Sequence, residues 1–414
     1  MKRKIVLMGY GMQGKACVYD LINHGEFDEL TIVDRYEGFL DDIHSLDDSR
    51  VKGCHLDATD PEGTDPSKIR ELLIPTDLVI DFFPPHLTLT MVELAIDCNC
   101  HAITSSYINN PAYAIEPGFI KRLESLDQKA RQKGLVILEE FGMDPGIDLA
   151  MAKKILNSFE EVHALHSYGA GFPELESANN PLRYKFSWSV IGVIRSHLRP
   201  AKYLDNGVVK KIAADAMFAS ENIHLLDIDG LGDTLECFFN GDSTQYVDHF
   251  GIDKTVKSMG RYICRWPGHG AFWQRMAQCG FLSDQPIQVG ENLVKPEEFC
   301  ASLLGKQEQF FYQQGERDVA LLRVDGRGLI DGQPKQVLMQ SIIYQDQLLG
   351  FSAMQQTVGF PMAIGSMMIL DGKIETSGRT MPMQVPLDFY FDELGKRGIH
   401  FETIVKDWDG KLNP

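Results

Sequence analysis

A chain that sets Gly9, Gly11 and Gly14 directly behind an apolar run has few folds open to it. The run Ile5, Val6, Leu7, Met8 lacks polar alternation, as a strand buried on both faces of a parallel sheet requires. The glycines stand in G-x-G-x-x-G spacing, and residues 15–21 continue as a helix. Each glycine answers its own need: the first a tight turn, the second close approach of backbone to a pyrophosphate, the third tight packing of helix on strand. A diphosphate would sit on the helix N-terminus, where free N–H groups and the helix dipole favour negative charge. Glycine turns of this kind also occur for structural reasons alone, so a second observation is needed. Residues 30–33 read as the next strand, and Asp34 ends it twenty residues after Gly14, within reach of the adenosine ribose hydroxyls. Strand, glycine loop, helix, strand and acid in this order predict a dinucleotide site.

The alternation continues. Residues 51–56 predict a third strand followed by Asp57, which is open to two roles, the adenine edge or a turn. Residues 78–83 predict a fourth, closed by Pro84 and Pro85, and after a helix over 90–97 a fifth, 101–104, runs into Ser105, Ser106 and Tyr107. Carboxyl ends of parallel strands line the cofactor crevice, so Phe83 and these three residues are expected around the nicotinamide. A helix over 125–133 and a strand over 135–139 complete a Rossmann-type doubly wound parallel sheet, residues 1–143. Gly142 and Asp144-Pro145-Gly146 then break the pattern before a helix over 147–156. Asp144 is open to facing a cleft between domains or to capping that helix.

From Val162 the texture changes to strand runs with long connections, at 163–168, 234–239, 262–265, 320–324, 336–344 and 351–357. The last three lie close in sequence and predict a second α/β domain, residues 144–384, with a largely antiparallel sheet. Helices are expected at 272–279 and 366–370. The tail, 385–414, reads as a helix over 386–396 and a strand over 400–405 that complete the first domain. Two domains also suit 414 residues, more than one core usually serves.

Charge removes whole classes of function. Forty basic against 58 acidic residues leave −18, with no long basic cluster, so nucleic acid and anionic membrane are not expected partners. No stretch approaches the roughly 18 apolar residues of a membrane span. The basic opening Met-Lys-Arg-Lys is followed by an apolar run too short for a signal peptide, and a cytoplasmic location is expected. Eight scattered cysteines read as free thiols. Cys98, Cys100 and His101 lack a second pair of ligands, so no metal is expected.

In the second domain, residues 179–189, NNPLRYKFSWS, mix polar groups and aromatics without helical or strand period. This suits a loop whose side chains contact a ligand, and equally a packed aromatic loop holding two lobes together. Asn180 and Lys185 are its candidate polar contacts. Arg265 is the best candidate to clamp a substrate carboxylate, because its guanidinium fork matches two oxygens; a surface arginine is the alternative.

With these residues in view, the chain resembles the glutamate-forming saccharopine dehydrogenases and, in its C-terminal half, the lysine 6-dehydrogenases. GYGMQG, TSSYI, EFGMDPGID, NNPLRYKFSWS and GFLSD carry the first likeness; RWPGH at Arg265, DVALLRV and LDFYFDELGKRG carry the second. The resemblance runs over nearly the whole chain. It implies an NAD(P)-dependent oxidoreductase acting on the C–N bond of an amino acid. It places cofactor contacts on Gly11, Met12, Gln13, Asp34, Ser106, Met143 and Ser189, and substrate contacts on Ser105, Ser106, Asp144 and Arg265. Two positions depart from it: Gly169 stands where the saccharopine enzymes have cysteine, and Gly241 where they have a substrate arginine.

The expected cofactor is NAD, because Asp34 repels a 2′-phosphate, with NADP open through Arg35 beside it. Asp144 or Tyr107 is expected to take the proton of the substrate nitrogen. A small-molecule amino acid is the expected partner, and a homodimer the expected assembly. A lysine 6-dehydrogenase and a non-catalytic cofactor-binding sensor are the alternatives. Because Gly241 offers no charge, saccharopine is expected to be handled poorly unless an arginine or lysine from elsewhere reaches that spot.

Overall fold

The computed structural model describes residues 3–58, 66–108 and 118–412. The chain divides into two compact units, Met1–Ala150 with Gln355–Ile399, and Met151–Met354 with His400–Pro414.

The first unit is built on a seven-stranded parallel sheet. Its order is Gly378–Thr380, Val136–Leu138, His101–Thr104, Leu78–Asp81, Lys4–Met8, Glu29–Asp34 and Val51–His55. Ile5 to Met8 are almost fully buried, which explains their unbroken apolar run. From the strand Lys4–Met8 the chain works outward on one side, then crosses back to Leu78–Asp81 on the other. The order therefore reverses beside the glycine loop, which is where open parallel sheets bind ligands.

The long helix Ala353–Leu370 belongs to this unit from Gln355 on. It lies against the helix Met12–His24 at Gly359, where a Cβ would come within 2.6 Å of the Ala16 Cβ and 2.8 Å of the Cys17 nitrogen. Residues 351–357, expected as a strand, instead lead into this helix. The Asp318 carboxylate accepts from the Ala353 (2.7 Å) and Met354 (3.1 Å) amides, satisfying the first turn from a distant strand.

The second unit carries a nine-stranded mixed sheet. Ile223–Leu226, Leu235–Phe239, Ser258–Arg265, Glu161–Pro173, Asp318–Ile330, Gln333–Tyr344 and Glu402–Asp407 follow in order, and Ala201–Asp205 with Val208–Ile212 joins at Ser258–Arg265. Its pairs are antiparallel except Ser258–Arg265 with Glu161–Pro173. The terminal strand thus pairs with Gln333–Tyr344, not with the first sheet as the sequence predicts. The first unit is completed by residues 355–399 rather than 385–414, and the second runs from 151 to 354 rather than from 144 to 384.

A buried ion pair fastens the returning segment to the glycine-loop helix. Arg397 donates to both Asp20 oxygens, Nε at 2.6 Å and Nη2 at 2.9 Å, with both side chains about 95% or more buried. Removing Asp20 leaves the buried guanidinium with Glu393 as its remaining carboxylate, so the loss is that of charge-assisted hydrogen bonds, roughly 1.5–3 kcal/mol. We expect Asp20→Ala to lower unfolding free energy by about that amount, and Asp20→Ala/Arg397→Leu to recover much of it. Denaturant melts of the three proteins check this; a double variant as unstable as the single one would refute it.

Candidate functional site

At the switch point the Gly9 amide donates to the Val33 carbonyl at 2.8 Å, and Gly9 itself has φ +100°. A side chain on Gly14 would collide with the Gly9 carbonyl, so turn and helix meet only through glycine. Gly11 is different: a Cβ there would meet nothing within 4 Å, so its smallness serves no packing inside the protein. The helix Met12–His24 starts at Gly11 with no side-chain cap and no acid in its first turn, which leaves its N–H groups for an anion. Met12 is exposed, and its carbonyl accepts from Gln355 Nε2 at 2.9 Å; Gln13 is half-buried in the same first turn.

A cavity of about 430 Å3 opens here, lined by Gly9, Gly11, Asp34, Arg35, Leu56, Asp57, Ala58, Phe82, Phe83, Pro84 and His86. Six of the sequence candidates therefore share one wall. Asp34 is occupied: its Oδ2 accepts from the Tyr10 amide (2.7 Å) and its Oδ1 from the Tyr36 amide (2.9 Å). It thereby ties the glycine loop to the end of its own strand. Arg35 is exposed, with no carboxylate paired to it among the described residues.

Ser105, Ser106 and Tyr107 follow the strand His101–Thr104 and are half-buried. The Ser106 carbonyl accepts from Glu140 and the Thr104 carbonyl from Phe141, which lays residues 140–146 alongside them. Gly142 bridges Gly146, and a Cβ at Gly142 would stand 3.4 Å from the Ser105 Cβ. Half-buried Asp144 lies in this turn, one peptide from Pro145, while Asp148 accepts from the Gly146 amide at the start of the helix Ile147–Leu156. Met143 is buried, its sulfur accepting from Thr357 Oγ1 of the long helix at 3.3 Å.

The second unit holds the other candidates. Asn180 organises its own loop: Nδ2 donates to the Tyr184 and Gln309 carbonyls, and Oδ1 accepts from Leu182. Lys185 is buried in an ion pair with Glu316. Ser189 caps the helix Val190–Ser196 by accepting from Gly192. These three are held by the protein itself. Arg265 is not. It is 7% exposed, its guanidinium stands 4.8 Å from the Tyr184 ring centre, Nη1 donates only to the Cys264 carbonyl, and Nε has no partner. Glu236, its cross-strand partner, gives its oxygens to the Gly268 and Gly270 amides.

Several residues here escaped the sequence. His197 and His269 are buried with ring centres 5.3 Å apart, and burial, reinforced by nearby Arg265, holds both well below the usual imidazole range, His269 at about 3. Arg199 was missed too: its Cδ lies 4.0 Å from where a Cβ on Gly241 would stand. Only the W-P-G-H-G run at Trp266 hinted at such a group; His197 and Arg199 follow the helix Val190–Ser196, some seventy residues earlier. Cys100 donates to the Leu73 and Thr76 carbonyls, and His101 Nδ1 accepts from the Val136 amide.

Comparison with known proteins agrees with this arrangement. Residues 5–138 match the model of the saccharopine dehydrogenase NADP binding domain, and residues 142–399 that of the saccharopine dehydrogenase C-terminal domain. The chain is 26% identical to a saccharopine dehydrogenase [NADP(+), L-glutamate-forming] of Saccharomyces cerevisiae, over 81% of this chain and 84% of that one. It is 25% identical to the mitochondrial alpha-aminoadipic semialdehyde synthase of Rattus norvegicus, over 97% of this chain but 48% of the relative, so it spans about half of that protein's length. The apo structure of the yeast saccharopine dehydrogenase shares the fold, with a TM-score of 0.78, 24% identity, and coverage of 98% and 100%. Among the described residues no helix is long and apolar enough to cross a membrane.

One buried acid sits beneath the cavity. Asp81 ends the strand Leu78–Asp81, fully buried, its Oδ1 accepting from the Phe83 amide at 3.0 Å. Burial pushes its carboxyl from an ordinary 3.8 up to about 6, against opposing help from Phe83, Thr88 and Thr104. The fold favours the protonated form, so this stability is complete below about pH 4 and is lost as pH rises through about 6. Asp81→Asn mimics that form. We expect it to gain on the unmodified protein between pH 4 and 7, by about 3 kcal/mol, and then to level off. Thermal melts across that range check it; a difference independent of pH would count against it.

Proposed function

Because the chain belongs to the saccharopine dehydrogenase family, we propose that it is an NADP-using oxidoreductase of lysine and aminoadipate metabolism that acts on the C–N bond of saccharopine or a close amino-acid analogue. The observation that carries this reading is Arg265, a buried guanidinium with an unpartnered Nε and no acid paired to it among the described residues. A buried cation of that kind is strongly disfavoured unless a ligand supplies the anion. The names of the relatives favour neither a lysine 6-dehydrogenase nor a non-catalytic sensor.

The residues present fit a nicotinamide dinucleotide. Gly11 leaves open space for its diphosphate, the uncapped helix start offers N–H donors, and the cavity beyond carries Asp34, Arg35 and Asp57 for the adenosine half. The expectation of NAD gives way to NADP, which the family model and the yeast relative's name both favour. Asp34 already accepts two backbone amides, which offset its charge, while Arg35 is at hand for a 2′-phosphate. When bound, the cofactor supplies the hydride acceptor or donor.

In the oxidative direction the substrate nitrogen first loses its ammonium proton, and Asp144 or Tyr107 takes it. Ser105 and Ser106, beside the Asp144 turn, hold polar groups of the substrate. Arg265 pairs with a carboxylate. Water adds to the carbon of the resulting C=N bond, and the carbinolamine collapses to amine and carbonyl. A homodimer in the cytoplasm is part of the same proposal; the eight unpaired cysteines support a reducing compartment, and light scattering tests the assembly.

The direct test is a panel of amino acids with NADP and NAD, followed at the absorbance of the reduced ring: saccharopine with NADP should be turned over most efficiently, and no turnover of any amino acid defeats the reading. Arg35→Ala should weaken NADP about 10- to 100-fold and NAD by less than about twofold, the loss of one charge-assisted contact. Fluorescence titration separates this from an equal loss for both, which would clear Arg35 of the role. Asp144→Asn should keep NADP binding and lower kcat by about 10²- to 10⁴-fold, since an amide takes up no proton; a near-normal kcat would assign Asp144 to the turn alone.

A further inference from the structure

The second sheet ends on one side at Glu402–Asp407, which pairs with Gln333–Tyr344 and has no strand beyond it among the described residues. All six of its residues are exposed, Ile404 at 43% and Val405 at 60%. The residues that stand opposite these two across the ladder, Leu338 and Val337, are only 5% and 3% exposed. Neighbours in a strand point to opposite faces, so the cover on both faces of the sheet stops one strand short of its edge. An edge strand also turns the N–H and C=O of every other residue outward, a template for another strand.

Charged side chains on an edge commonly keep other strands away. Here the charges have a different pattern. Glu402 and Lys406 share one face with Ile404 between them, and among the described residues neither forms an ion pair, whereas Asp407 beside them is held by Lys335 at 2.6 Å. A two-fold axis perpendicular to a sheet keeps each side chain on its own face, so in a pair of identical antiparallel strands a residue meets one an even number of places away. Centring the axis on Ile404 sets Ile404 against Ile404, Thr403 against Val405 and Glu402 against Lys406. Centring it on Thr403 or Val405 sets Glu402 or Lys406 against Ile404 instead. The strand is therefore complementary to itself in one register, with an apolar pair at the axis and an opposite-charge pair on either side. The exposed strand Val208–Ile212 offers the contrast: it carries Lys210 and Lys211 and no acid, so a copy of itself repels it.

We propose that a second copy of this chain docks on Glu402–Asp407, joining two second sheets edge to edge into one antiparallel sheet across a two-fold axis at Ile404. This gives the homodimer proposed above its interface and rests on that reading. The partner strand satisfies the outward backbone groups, and Ile404 and Val405 leave water. Two copies at −18 repel at long range, but salt screens that repulsion beyond about 8 Å at physiological ionic strength, whereas the Glu402–Lys406 pairs act at contact. A six-residue ladder is short beside the roughly 1,200 Å2 that a stable interface buries. Single substitutions at the axis are therefore decisive.

Sedimentation velocity on the full chain tests this. The unmodified protein should be dimeric. Lys406→Glu turns both opposite-charge pairs into like-charge ones and should weaken the dimer about tenfold or more. Glu402→Lys/Lys406→Glu restores the pairs in reverse and should recover most of that loss. Ile404→Cys should give a covalent dimer under mild oxidation, because residue 404 faces itself, and Thr403→Cys, which faces Val405, far less of one. The unmodified chain with its exposed Cys279 is the blank. Unchanged melting temperatures show that the variants are folded. A dimer that Lys406→Glu leaves intact, or a loss that the double variant does not restore, overturns this interface and leaves the homodimer standing. A monomeric unmodified chain overturns both.

Discussion

The first unit depends on one close approach, the Gly14 backbone against the Gly9 carbonyl, where no side chain fits. That approach sets the angle at which the helix Met12–His24 leaves the strand Lys4–Met8, and hence where its free N–H groups point. Everything that binds a dinucleotide follows from it. Asp34 reaches the loop through the Tyr10 amide, the neighbouring strands end around the same cavity, and a segment from the far end of the sequence packs on the helix at Gly359 and Arg397. A helix held on two sides keeps its dipole aimed at one place, which is what preorganised anion binding requires.

Buried charge is treated in two ways, and most of it is paired: Lys185 with Glu316 and Arg327 with Asp325 in the second unit are closed pairs. In the first, Arg397 is closed by Asp20 and Glu393, and Arg379 by Glu139, so those cations hold the fold together. In the second, buried Arg265 has no carboxylate paired to it among the described residues, although Glu236 lies opposite it across the ladder with its oxygens on the Gly268 and Gly270 amides. Leaving a buried cation unpaired lowers stability, so its presence points to a partner that arrives from outside.

Asp34 shows how a motif residue changes meaning once its surroundings are known. By spacing it is the acid that selects the unphosphorylated cofactor, yet in the fold two amide donors already share its charge, and the exposed Arg35 next to it faces the same cavity. Asn180, Lys185 and Ser189 changed in the same direction. Their polar groups meet backbone at Tyr184, Gln309, Leu182 and Gly192 and the carboxylate of Glu316.

The sequence by itself determined the first sheet and its crevice, because apolar runs, glycine spacing and strand-end acids act locally and leave a periodic trace. It also singled out Arg265, because a guanidinium fork is recognisable by residue type, although its neighbours Tyr184 and Glu236 come from distant segments. What it could not show was set by contacts between distant segments. The helix Ala353–Leu370 starts where it does because Asp318 satisfies the Ala353 and Met354 amides, residues 402–407 pair in the second sheet because Gln333–Tyr344 offers a free edge, and the Arg199 side chain comes to lie 4.0 Å from the Cβ position of Gly241, some forty residues away in sequence. A cap, a ladder and a charge placed across the fold have no period in sequence, so only the tertiary structure decides them.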